Sequence, residues 1–146
     1  GLPARTLASI AAETLAVLSD TTFAPVFGPL SQAEVPIVAV IPRTERTGPP
    51  LRIAGQIDRL VVTDDSVLIV DYKTNRSAPR APDAVAPVYL YQLAAYALAV
   101  REIVPGRRVR AALLWTEGPD LMEIQEETLA VYADELWRLD TLRLDA

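Results

Sequence analysis

Two aspartates and a lysine carry most of the chemical information in this sequence. They fall in two short runs, Gly55-Gln-Ile-Asp58-Arg-Leu and Ile69-Val-Asp71-Tyr-Lys73-Thr-Asn-Arg76. Strand side chains alternate between faces, so Asp71 and Lys73 project together on either side of Tyr72. Their neighbours are Val67, Leu68, Ile69 and Val70, and charges in so apolar a run are costly unless paired or bound to an ion. If Asp64-Asp65 forms a two-residue hairpin loop, Thr63 faces Ser66, Asp58 stands opposite Asp71, and Gln56 stands opposite Lys73. Opposed carboxylates on one sheet face repel each other. A divalent cation between them reverses that sign. Gly55 leaves room for another backbone to approach beside the first aspartate. The same residues also suit a simpler arrangement, an Asp–Lys ion pair at a strand end with Asp58–Arg59 at the sheet edge. Spacing alone does not separate the two.

Composition narrows the chemistry further. The chain has no histidine and no cysteine, which removes Ser–His triads, histidine metal cages, disulfides and thiolate clusters. Catalysis must run on Asp, Glu, Lys and Tyr, and a hard, oxygen-bound cation is the natural helper. The net charge of −5 argues against a surface that is basic throughout. The charge is uneven, however: residues 43–80 hold seven of the 14 Lys and Arg against five acids, and both aspartates lie in that segment.

The elements that must position these residues follow from periodicity. Leu7–Leu18 reads as a helix, with Leu7, Ile10, Ala11, Leu15 and Leu18 at helical spacing. Strands are expected at Glu34–Ile41, Leu51–Thr63 and Ser66–Lys73, and a proline-containing loop at Asn75–Pro87. A helix over Val88–Glu102 carries Leu90, Leu93, Ala97 and Val100 on one stripe. Strands at Val109–Trp115 and Leu121–Gln125 and a helix at Glu126–Leu139 complete the chain. The order α-β-β-β-α-β-β-α describes one α/β (α+β) domain over residues 1–146, with an antiparallel meander and then a crossover. No apolar run approaches the roughly 18–20 residues of a membrane span. No membrane association is expected, and the lack of cysteine suits the cytoplasm. Met122, Trp115 and Trp137 read as core packing.

With Gln92 and Tyr96 on one face of the following helix, the pattern Asp58…Asp71-Tyr-Lys73…Gln92-Leu-Ala-Ala-Tyr96 resembles the RecB-like branch of the PD-(D/E)xK nucleases. The wording of Ala33-Glu-Val-Pro-Ile, Asp58-Arg-Leu-Val-Val, Asp71-Tyr-Lys-Thr-Asn-Arg and Leu113-Leu-Trp-Thr is similar to the C-terminal nuclease domains of AddA-type helicase–nucleases. The resemblance spans roughly residues 30–118. It implies a restriction-endonuclease-like core, a mixed central sheet flanked by helices, and Mg²⁺-dependent hydrolysis of DNA, with Mn²⁺ as a substitute. Asp58, Asp71 and the Tyr72 carbonyl are the implied metal ligands. Lys73 is implied to orient the attacking water or stabilise charge on the phosphate, with Gln92 and Tyr96 positioning Lys73 or the strand backbone.

Further expectations come with the resemblance. Arg59, Arg76 and Arg80 are candidates for contacts to the DNA backbone, against ordinary solvated charge. Glu34 is a candidate further ligand, or a partner for a basic neighbour. The implied setting is bacterial double-strand-break processing with an AddB-like partner, the helicase feeding a single strand to the site. The branch usually has a histidine on an early helix, and this chain has none, so that ligand is expected upstream of Gly1. Helicase motifs, including a phosphate-binding loop, are absent here, so ATP use belongs to domains outside these residues. The competing expectation is a nuclease-like module that guides or docks DNA without cutting it.

Overall fold

The computed structural model describes residues 26–43, 47–74, 79–116, 120–139 and 141–144. The helix expected at Leu7–Leu18 lies outside them. The elements are β1 (Ser31–Ile41), β2 (Leu51–Val62), β3 (Ser66–Lys73), α1 (Pro87–Ile103), β4 (Arg108–Trp115), β5 (Asp120–Ile124), α2 (Glu126–Leu136) and β6 (Thr141–Leu144), with a 3-10 turn at Pro82–Ala84. The strands form one mixed sheet in the order β1-β2-β3-β4-β5, and β6 joins β2. β1, β2 and β3 make the expected antiparallel meander. The crossover through α1 then lays β4 parallel to β3.

Both helices bury their apolar stripes in the same core as one face of the sheet. Leu93, Tyr96 and Ala97 of α1 and Leu129 and Leu136 of α2 pack with Ile37, Ile53, Ile69 and Leu113. Pro87 opens α1, where its missing N–H has no helical partner to lose. On the other face, Val26, Val70 and Leu114 form a smaller cluster with Phe27 and Tyr72.

The β2–β3 hairpin has the register expected from its loop. Arg59 pairs with Val70 and Val62 with Val67, and the Thr63 N–H donates to the Ser66 carbonyl at 2.9 Å. Continuing this register by one step sets Asp58 opposite Asp71. At that step the sheet divides. β3 runs beside β2 only over residues 59–62, whereas β6 lies parallel to β2 over residues 52–55. Gln56, Ile57 and Asp58 sit in the fork between them. β6 was not expected from the sequence. Four residues, Thr-Leu-Arg-Leu, are too short for a periodic signal, and the neighbour that makes them a strand lies far away in sequence. The last helix accordingly stops at Leu136 rather than Leu139.

Candidate active site

The fork gathers the residues singled out by spacing. Asp71 is the one buried polar or charged residue among those described, at 5% exposure. Its Oδ2 lies 2.6 Å from Lys73 Nζ and, shielded from solvent, is held by that ion pair. Asp58 sits within hydrogen-bonding reach of the same carboxyl. Burial pushes the Asp71 carboxyl from 3.8 up to about 7; Asp58 adds to the rise and Lys73 opposes it. A second acid beside it thus adds to the cost of ionising Asp71 in a site poor in water.

Asp58 is fixed by an in-plane bond, its Oδ2 accepting the Tyr72 N–H at 2.8 Å. The N–H and C=O of a strand residue point to the same side, so the Tyr72 carbonyl also faces the fork. The Lys73 carbonyl points the other way, accepting the Thr116 N–H at 3.0 Å. Lys73 Nζ donates to Gln92 Oε1 at 3.2 Å and stands 4.1 Å above the centre of the Tyr89 ring. That ring meets Trp115 edge-on, with centroids 6.2 Å apart. Asp71, Gln92 and Tyr89 thus hold the ammonium from three sides.

Tyr96 closes the fork from the helix. Its hydroxyl donates to the Gln56 carbonyl at 2.7 Å, accepts from the Gln56 N–H at 3.3 Å and approaches the Leu144 carbonyl at 3.3 Å. The phenol replaces the strand partner that Gln56 lacks, so its backbone groups are not left unpaired. Burial is the main cause that raises the Tyr96 pKa, so the hydroxyl stays protonated and able to donate. Pro36 stands opposite Gln56 on β1. Because Gln56 turns its backbone groups toward Tyr96, the proline costs no ladder bond. Gly55 is required by the same packing: a Cβ there would lie 2.6 Å from the Leu144 carbonyl oxygen and 3.0 Å from the Tyr96 hydroxyl. The close backbone approach expected from this glycine is made by β6.

Other candidates fall elsewhere. Glu34 is exposed and takes φ 52°, a left-handed conformation that costs a non-glycine residue about 1–3 kcal/mol. The β1–β2 pairing runs through Ala33↔Arg59 and Val35↔Ile57 but skips Glu34 opposite Asp58, so the ladder is dislocated beside the site. Arg59 lies on the opposite face from Asp71. Its Nε donates to the Tyr72 hydroxyl at 3.1 Å, its Nη1 to Ser31 Oγ at 3.3 Å, and its guanidinium stacks 5.1 Å over Phe27. There it packs the smaller cluster. Arg80 is exposed in the segment before α1, and Arg76 lies outside the described residues. Two positions that the sequence did not reveal, Tyr89 and Leu144, touch the site. The Tyr89-x-x-Gln92 spacing on one helix face was the available signal for the first, and nothing local pointed to the second.

Among the described residues, no group of three or more His, Cys, Asp or Glu gathers to hold a metal. The fork offers two carboxylates and the Tyr72 carbonyl. These are hard oxygen donors, and such a set suits a cation of Mg²⁺ type.

Residues 4–144 match the PD-(D/E)XK nuclease superfamily. The chain belongs to that superfamily. A curated relative from Pelotomaculum thermopropionicum (strain DSM 13744 / JCM 10971 / SI), one of the ATP-dependent helicase/nuclease subunits, is 38% identical over 74 residues, 51% of this chain and 6% of the relative. The chain therefore spans only a small part of that protein's length. Among solved structures, one described as the crystal structure of SSO0001 aligns with a TM-score of 0.47 and 17% identity, covering 93% of this chain and 61% of the other. The mixed sheet flanked by helices is the superfamily's core. Among the described residues, no helix is long and apolar enough to cross a membrane.

Proposed function

We propose that this domain hydrolyses phosphodiester bonds in DNA with Mg²⁺ as cofactor, as the nuclease part of an AddA-type helicase–nuclease. The observation that carries the reading is Asp71, a buried carboxylate set between the Asp58 carboxylate and the Lys73 ammonium. A purely structural ion pair would not need a second acid in the same low-dielectric space, since that acid raises the cost of ionising the first.

Asp58, Asp71 and the Tyr72 carbonyl would hold the cation. When bound, the cation supplies Lewis-acid polarisation of the scissile phosphate and lowers the pKa of an attacking water. The protein's own groups do the rest. The Asp58–Tyr72 bond fixes the first carboxylate before substrate arrives, so little reorganisation is needed during reaction. Lys73 carries its positive charge beside the phosphate position and stabilises negative charge developing there. Gln92 and the Tyr89 ring share the ammonium with Asp71 and fix its position. Tyr96 holds the β2 backbone at the fork, and through it the direction of Asp58.

We propose the wider setting on the sequence resemblance. It is exonucleolytic processing of double-strand breaks for recombinational repair, in the bacterial cytoplasm, with an AddB-like partner and a motor that delivers one strand. The test is cleavage of end-labelled single-stranded DNA by the full-length protein with Mg²⁺, Mn²⁺ or EDTA, alongside Asp71→Asn and Lys73→Ala. Metal-dependent cleavage lost in both variants supports the reading. DNA binding without cleavage in any metal would overturn it in favour of a guiding module.

A further inference from the structure

The Lys73 ammonium stands 2.6 Å from Asp71 Oδ2, with both side chains nearly buried. Asp58 reaches the same carboxyl, while its own Oδ2 accepts the Tyr72 N–H at 2.8 Å. One ammonium therefore faces two carboxylates and leaves a negative charge uncompensated where water is scarce, which is costly. A divalent cation balances both. Ammonium and divalent cation compete for Asp71, because on one carboxyl they would be pressed within a few ångström and repel each other strongly. A second seat for the ammonium adjoins the first. Gln92 Oε1 accepts from Nζ at 3.2 Å, and the centre of the Tyr89 ring lies 4.1 Å from it. That ring is itself set edge-on against the buried Trp115. A cleft of about 380 Å³, with Lys73, Tyr89 and Gln92 in its lining, leaves the side chain room to move off Asp71.

We infer that Lys73 is a built-in competitor of the divalent cation. Cation entry is an exchange, in which the ammonium gives up Asp71 and stays with Gln92 and Tyr89. The inference rests on the nuclease reading, and it deepens that reading by assigning Lys73 a regulatory part in the same site. The two carboxylates alone do not set the cation affinity; it is their attraction less the ion pair that must be broken. The exchange also couples two charges that the reaction needs. An ammonium engaged by Asp71 has little left to offer a phosphate, and one seated on Gln92 and an aromatic face, both uncharged, keeps its full charge for that purpose. Lys73 therefore becomes available to the phosphate only when the divalent cation is in place.

The experiment titrates Mg²⁺ into the full-length protein by calorimetry, without DNA or nucleotide, at pH 9 so that protons compete little for Asp71. Subtracting the same titration of Asp71→Asn removes binding elsewhere in the protein. Lys73→Ala binds Mg²⁺ at least roughly tenfold tighter than wild type, the scale of removing a positive charge a few ångström from the cation. Ethylammonium chloride, a primary ammonium matching the end of the lost side chain, returns the variant toward wild-type affinity. Tetramethylammonium chloride at the same ionic strength does not, because it has no N–H to give Asp71. Lys73→Gln keeps an N–H for Asp71 without the charge; it shows the same tightening and replaces the alanine variant if that one does not fold. Equal or weaker Mg²⁺ affinity in a folded variant overturns the inference. So does a tightening that ethylammonium leaves untouched, which is general repulsion and not exchange. Cleavage assays on the same proteins keep the two readings apart. Mg²⁺ binding that tightens without Lys73, with no cleavage by wild type in any metal, overturns the nuclease reading and keeps the exchange. Metal-dependent cleavage by wild type with no tightening in either variant does the reverse.

Discussion

Replacing Asp71 with Asn separates a metal site from a structural ion pair through stability alone. In the folded protein the Asp71 carboxyl is raised from 3.8 to about 7, roughly three units, or about 4 kcal/mol against the ionised form at about 1.4 kcal/mol per unit. That figure already contains the pull of Lys73, which opposes the rise. The folded state binds the proton more tightly than the unfolded chain. Its contribution is therefore fully present below about pH 4 and is lost as pH rises through about 7. At pH 8 without metal, wild type bears the cost of an ionised, buried carboxylate beside Asp58, and the neutral amide does not. Allowing half of the 4 kcal/mol for imperfect amide hydrogen bonds, Asp71→Asn gains about 2 kcal/mol at pH 8, or about 6 °C in melting temperature for a chain of this size. At pH 5 only about 1.2 of the three units has been lost, an amount that the amide's poorer hydrogen bonds offset, and the two proteins melt together. Adding Mg²⁺ at pH 8 raises the melting temperature of wild type but not of the variant. The assay is differential scanning fluorimetry at both pH values, with EDTA or Mg²⁺. An Asn variant that melts below wild type at pH 8 in EDTA refutes the reasoning, because Asp71 would then be stabilising Lys73 rather than waiting for a cation.

Three further outcomes follow from the fork. Gly55→Ala forces a Cβ into the Leu144 backbone and costs about 1–3 kcal/mol in chemical denaturation, the usual range for overpacking; amide exchange of β6 rises with it. Tyr96→Phe leaves the Gln56 N–H and carbonyl without their partner, for a loss of about 1–2 kcal/mol and a fall in kcat that no increase in substrate repairs. Arg59→Ala lowers stability by about 1 kcal/mol through lost packing on Phe27 and Tyr72, while the salt dependence of DNA binding stays the same. A shallower salt slope would return Arg59 to the DNA interface.

The sequence by itself determined the parts of this protein that depend on short spacings. The i, i+2 alternation of Asp71 and Lys73 and the two-residue loop at Asp64-Asp65 were enough to align β2 with β3, because a hairpin's register is set by its own turn. The i, i+4 spacing of Gln92 and Tyr96 placed both on the helix face that meets the site. Arg59 shows where that logic stops. Its neighbour Asp58 faces the fork, but one residue along a strand is enough to reverse the side, and the partners waiting there, Phe27 and Ser31, come from another part of the chain. Tertiary structure alone decided β6, whose four residues become a strand only because β2 offers an unpaired edge below the fork. It also decided what burial does to Asp71, since the desolvation that lifts its carboxyl comes from packing among separate elements. Chemistry encoded by neighbours in sequence can be read one residue after another; chemistry encoded by the exclusion of water cannot, because no residue excludes water alone.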